Sequence, residues 1–156
     1  MDPGIKCRDD SGVWRARPCF ASVRRMSEQD PPIARIAACA CGQLSIVCQG
    51  EPQRVSVCHC LDCQRRTGSA FGIAAFFPRD AVQPEGRETT TRRLADSGRG
   101  LTFHFCPDCG GTVYWEPEFR PDSVAVAVGA FADPSFPAPE KEVYENRAHP
   151  WAKISF

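Results

Sequence analysis

Short runs of β-branched and aromatic residues recur along the chain from Gln43 onward, each bounded by glycine, proline or polar turn signals. The runs at residues 44–48, 54–58, 71–77, 101–105, 112–115 and 124–128 predict strands, and the class they define is mainly β. One helical turn is predicted, at residues 61–66, where strand formers are missing and Thr67-Gly68 supplies a stop. Pro134, Pro137 and Pro139 break the chain after the last strong strand, and a closing strand is expected at residues 153–156.

Residues 1–33 mix Pro, Arg, Asp and Ser without apolar periodicity, and are expected to form a disordered N-terminal extension ahead of one domain at residues 34–156. Met26 opens a stretch that runs straight into the first cysteine pair, so residues 1–25 are a candidate for sequence outside the native protein.

Charge narrows the partners. Lysine plus arginine and aspartate plus glutamate each number 19, so no net charge draws the chain to a phosphate backbone, and no nucleic-acid partner is expected. The apolar stretches at 70–77 and 124–132 fall far short of the roughly 18 residues of a membrane span, and no secretory core opens the chain. The expected location is cytoplasmic, with no membrane contact. In a reducing compartment ten cysteines point to metal binding and away from a disulfide framework.

Seven of those ten lie in three clusters: Cys39-Ala40-Cys41-Gly42, Cys58-His59-Cys60-Leu61-Asp62-Cys63 and Cys106-Pro107-Asp108-Cys109-Gly110. Cys106 and Cys109 sit between two predicted strands in the layout of a zinc knuckle, and Cys39 and Cys41 form a shorter half-site, also followed by glycine. Two such pairs make the closed four-thiolate set of a structural zinc, which would tie the start of the domain to its middle. In small zinc domains such binding contributes on the order of 10 kcal/mol.

The central cluster differs, because Cys58, Cys60 and Cys63 offer three thiolates and Gln64, not glycine, follows the last. A zinc held by three protein ligands keeps a fourth position open, the mark of a catalytic site. Three thiolates make the metal a weak Lewis acid, so a substrate thiol is a better fourth ligand than water. A thiol held there stays ionised and nucleophilic near neutral pH, which suits addition of sulfur to a small carbonyl. Two alternatives remain open: His59 as the fourth ligand of a second structural zinc, and Cys60 with Cys63 as a metal-free redox dithiol.

Other residues carry weaker expectations. His59 is a candidate to orient the site from behind the ligands or to pass a proton. Arg65 and Arg66 are candidates to clamp a substrate carboxylate. His104 is read as a surface histidine, with the outer shell of the first zinc as the other possibility; Glu145, His149 and Trp151 form a tail in which Trp151 packs onto the sheet. Cys48 ends an apolar strand and reads as a small buried hydrophobe, and Cys7 and Cys19 have no partner pattern.

The blocks Cys39-Ala40-Cys41-Gly42, Cys58-His59-Cys60-Leu61-Asp62-Cys63 and Phe105-Cys106-Pro107-Asp108-Cys109-Gly110, with Thr67-Gly68-Ser69-Ala70-Phe71 between them, resemble the glutathione-dependent formaldehyde-activating enzyme family, also called centromere-protein-V-like. The resemblance covers about residues 36–151. It implies an Mss4-like, β-tent fold, a structural zinc on Cys39, Cys41, Cys106 and Cys109, and a catalytic zinc on Cys58, Cys60 and Cys63. The implied activity is that of a carbon-sulfur lyase acting on adducts of a small thiol, glutathione being the candidate, with an aldehyde such as formaldehyde. Folds of this kind also serve as non-catalytic zinc modules that bind a protein partner, which is the rival expectation.

Overall fold

The hydrophobic runs become two sheets. In the computed structural model residues 33–156 are described, together with a small antiparallel ladder of β1 (Cys7–Arg8) on β2 (Trp14–Arg15). Met1–Pro31 and Pro32–Phe156 separate as two units, and apart from that ladder the expected extension lies outside the described residues.

In the second unit β3 (Ala34–Ala38), β4 (Ser45–Gln49) and β7 (Val82–Glu85) form a three-stranded antiparallel sheet in the order β3-β4-β7. Pro84 is tolerated in β7 because that strand is an edge and needs no donor on its outer side. The larger sheet has the order β12-β5-β6-β11-β10-β9-β8. Its strands are β5 (Arg54–Cys58), β6 (Gly72–Pro78), β8 (Thr89–Leu94), β9 (Gly100–Phe105), β10 (Thr112–Pro117), β11 (Ser123–Ala127) and β12 (Lys141–Val143). Every pairing in it is antiparallel except that of β12 with β5.

Side-chain alternation divides the large sheet into two faces. Val55, Ala75, Phe77, Val124 and Val126 meet Ala37, Leu44, Ile46 and Cys48 of the smaller sheet's side in the main core. The opposite parity, Ala74, Phe76, Ala125, Leu101, Phe103 and Trp115, builds a second apolar cluster on the other face. A register irregularity between Thr112 and Tyr114 lets Val113 and Tyr114 both enter the main core before Trp115 returns to the second face. The second face is the one that carries the central cysteines.

The helix forms where the sequence predicts it. Helix α1 (Leu61–Thr67) starts at Cys60, whose Sγ accepts from the Cys63 N–H, and ends at Gly68 in the left-handed conformation that glycine adopts without strain. The closing strand, in contrast, is β12 at Lys141–Val143, where the chain pairs with β5, and residues 153–156 join no ladder.

Candidate metal centres and the cavity beside them

Two hairpin loops bring the first four cysteines together. Residues 39–44 link β3 to β4, with Cys39 N–H donating to Leu44 O at 2.9 Å and Gly42 N–H to Cys39 O at 2.9 Å. Residues 106–111 link β9 to β10 in the same manner: Cys106 N–H donates to Gly111 O at 3.0 Å and Gly110 N–H to Cys106 O at 2.9 Å. Gly42 and Gly110 both hold positive φ, which releases each turn just after its thiols.

The four Sγ atoms lie within 4.8 Å of one another, with Cys39 to Cys41 at 3.5 Å and Cys41 to Cys106 at 3.6 Å. A tetrahedral zinc with bonds of about 2.3 Å needs sulfur separations of about 3.8 Å, so this donor set fits that metal. Burial alone raises the Cys39 thiol, but the Leu44 amide and the neighbouring sulfurs outweigh it and bring Cys39 down to about 6. The Gln43 amide lowers the Cys41 thiol, but the neighbouring sulfurs outweigh it and raise Cys41 to about 12, so the cluster shares its thiolate unequally. Cys39, Cys41, Cys48, Cys58, Cys60, Cys63, Cys106 and Cys109 are free of disulfide bonds.

The three remaining cysteines converge from β5 and the start of α1. Cys58 ends β5, Cys60 caps the helix and Cys63 lies in its first turn, and their sulfurs lie within 4.8 Å of one another. Hydrogen bonds from Cys58 lower the Cys63 thiol most, burial opposes them, and Cys60 and the Arg66 charge help bring it to about 6. Cys58, the donor partner and itself partly buried, is raised by that same hydrogen bond and by desolvation. Three thiols sharing one ionised sulfur suit a metal that takes thiolates.

All three line a cavity of about 470 Å³ on the second face of the large sheet. Its wall continues through Ala74, Phe76, Leu101 and Trp115, and the β8–β9 turn and Tyr144 close its edges. Asp62, at the helix start, pairs with Arg93 of β8 at 2.9 Å, joining the helix to the far edge of the sheet.

The other expected residues are placed more specifically than their sequence positions allow. His59 is fully buried, sets Nε2 2.6 Å from Glu142 Oε2, and does not line the cavity. Arg65 is exposed, pairs with Asp62 at 3.5 Å and also stays off the cavity. Arg66 stacks over Trp115 at 4.6 Å and Phe103 at 5.4 Å, beside Cys63.

Two expectations are corrected. His104 is buried, not a surface residue: it stacks on Tyr114 with centroids 4.2 Å apart and sets Nδ1 3.0 Å from Glu88. Alternation assigns its face, but the cover comes from Glu88 of the loop before β8. Trp151 is 74% exposed and its ring lies 5.1 Å from that of His149, whose Nε2 lies 3.1 Å from Gln64 Oε1, so the tail reaches α1 through His149 and not through burial of the indole on the sheet. Gln64 itself donates to His59 O at 2.8 Å and Arg147 O at 3.1 Å. This linkage was not singled out in the sequence, where only the odd replacement of glycine by Gln64 after Cys63 marks it.

Fold and site together define a β protein with two cysteine clusters able to hold metal, one at hairpin loops and one in a cavity. Residues 34–147 match the family described as Glutathione-dependent formaldehyde-activating enzyme, and the chain belongs to it. The crystal structure of a Rhodobacter sphaeroides protein is similar in fold, with a TM-score of 0.50 at 20% identity, covering 69% of this chain and 99% of that one. No curated protein matches. Among the described residues no helix is long and apolar enough to cross a membrane.

Proposed function

We propose that the chain is a zinc-dependent carbon-sulfur lyase-type enzyme, making or breaking adducts between a small thiol and an aldehyde such as formaldehyde. The observation that carries this reading is that Cys58, Cys60 and Cys63 all line one cavity, whereas in the other cluster Cys39 borders a different cavity and Cys41 and Cys109 stand exposed in hairpin loops. Zinc at Cys58, Cys60 and Cys63 would supply one open position that keeps a substrate sulfur ionised near neutral pH. A second zinc at Cys39, Cys41, Cys106 and Cys109 would fasten the two hairpin loops together.

The chain's own residues do the rest. The cavity wall orients the adduct with its sulfur toward the thiols, and the buried surfaces of Phe76 and Trp115 keep water from the carbon-sulfur bond. Arg66 acts beside the site and not as a carboxylate clamp: its guanidinium is held against Trp115 and favours the ionised form of Cys63.

Elemental analysis and a cobalt-substituted sample test the reading. Two metals per chain, with a cobalt spectrum that changes when a small thiol is added and no longer does so in Cys63→Ala, is the expected result. One metal with a spectrum indifferent to thiols would reduce the chain to a structural zinc module and end the enzyme reading.

A further inference from the structure

The cavity beside Cys58, Cys60 and Cys63 has an unequal lining. Ala74, Phe76, Leu101 and Trp115 are buried and apolar along its wall, while Phe119 and Tyr144 are about two-fifths exposed at its edge. Its charged residues are largely committed to each other: Asp62 faces Arg93 at 2.9 Å, and Asp96 faces Arg147. Arg99, on the β8–β9 turn, lines the cavity and has no ion pair among the described residues.

Glutathione would bring two carboxylates, an ammonium group and two amide links. Each of these loses water on entering an apolar cavity and needs an uncommitted partner there. One free arginine serves one carboxylate, and the hydroxyl groups of Ser56, Ser97 and Tyr144, which also line the cavity, carry no charge to neutralise a second one. Apolar surface, in contrast, gains from leaving water wherever Phe76, Leu101, Trp115 and Phe119 can receive it. A volume of about 470 Å³ is also within the range of pockets that enclose a small organic molecule.

From this we infer that the thiol selected by the cavity has an apolar or aromatic body and a single acidic group, its sulfur directed to the three cysteines and its carboxylate to Arg99. The inference rests on the reading of this cavity as the substrate site. It replaces the free tripeptide with an aryl- or alkyl-thiol acid, or the aldehyde adduct of one.

Calorimetric titration of the zinc-loaded full chain separates the possibilities. The probes are 2-mercapto-3-phenylpropanoate, glutathione, benzyl mercaptan and the sulfur-free 3-phenylpropanoate. The expected result is that the phenyl thiol acid binds at least tenfold tighter than glutathione. Phe119→Ala should weaken both thiols that carry a phenyl ring. Arg99→Ala should weaken the acid severalfold and leave benzyl mercaptan unchanged. Both substituted residues are exposed, and circular dichroism of the variants confirms that the fold persists.

Glutathione binding as tightly as the phenyl acid, or the phenyl acid binding both variants as tightly as it binds wild type, would overturn the inference. The sulfur-free acid distinguishes this failure from failure of the enzyme reading. If it binds wild type and loses affinity in Phe119→Ala while no thiol alters a cobalt spectrum, the selection of an apolar acid stands and the sulfur chemistry falls. If thiols alter the spectrum without preference for the phenyl body, the reverse holds.

Discussion

His59 Nε2 lies 2.6 Å from Glu142 Oε2, so the residue between two cavity cysteines is tied to β12, the edge strand that joins the sheet in parallel. The imidazole is fully buried and its Nδ1 has no hydrogen-bond partner among the described residues, which leaves the Glu142 contact as the main satisfaction of its polarity. The backbone repeats the tie, since His59 N–H donates to Val143 O at 3.0 Å. Strand β12 supplies Val143 to the cavity and is followed by Tyr144, so the pair holds that wall in place.

Removing the carboxylate should therefore be costly. Glu142→Ala is expected to lose about 1 to 3 kcal/mol of stability, the cost of leaving a buried polar group unpartnered, and Glu142→Gln less because an amide can still bond the ring. Urea unfolding of the three proteins measures it; equal midpoints would show that the pair contributes nothing.

The two clusters should respond differently to loss of a ligand. Cys106 is buried and shares its sulfur environment with Cys41 across the two hairpin loops, so Cys106→Ala is expected to abolish folding or leave a chain that strong chelators unfold. Cys63→Ala should keep the far-ultraviolet spectrum and lose one metal of two. Metal content and circular dichroism on both variants decide the matter, and the opposite pattern would exchange the roles of the clusters.

How much of this was legible in the sequence follows from which residues alternate. Arg54 to Cys58 alternates cleanly, and β5 has those bounds; residues 61–66 lack strand formers and Thr67-Gly68 supplies a stop, and α1 forms there, one residue longer, with Gly68 as its cap. Strand β8, Thr89–Leu94, was missed because its residues are almost all exposed and polar, so no apolar period marks it, and only pairing with β9 makes it a strand. Strand β12 is three residues long and exists through a parallel partner far away in the chain. The cysteine spacings foretold both clusters. The cavity was not foretold, since Arg99, Phe119 and Tyr144 reach it from segments with no local signature.

Cys48 offers a pH test away from both metal centres. It is fully buried in the main core, and burial pushes its thiol up to about 12 from an ordinary value of 9.0. A raised thiol pKa in the folded state favours folding fully below about pH 9, and the benefit is lost as pH rises from 9 toward 12, because the unfolded chain ionises first. Wild type should lose about 1 kcal/mol between pH 7 and pH 10 through this one group. Cys48→Ala should be less stable at pH 7 but show a shallower alkaline decline. Parallel declines in the two proteins would contradict the assignment.

Gly72 sits opposite Cys58 in the β5–β6 ladder and under the end of α1. A Cβ there would stand 3.1 Å from Arg66 Nη2, 3.4 Å from Cys63 Cβ and 3.5 Å from Thr67 Cγ2. The last two are ordinary contacts, so Arg66 must yield. It is not free to do so cheaply, because its guanidinium lies over Trp115 and Phe103, an arrangement that contributes about 0.5 to 1 kcal/mol or more where water is excluded. Gly72→Ala should thus destabilise the protein by about 1 kcal/mol through displacement of Arg66. Arg66→Ala in the Gly72→Ala background should then cost less than Arg66→Ala alone, a coupling that a double-mutant cycle in urea reads directly. Strict additivity would mean that the new methyl group clears the guanidinium, and that Gly72 is placed beside the helix for strand pairing alone.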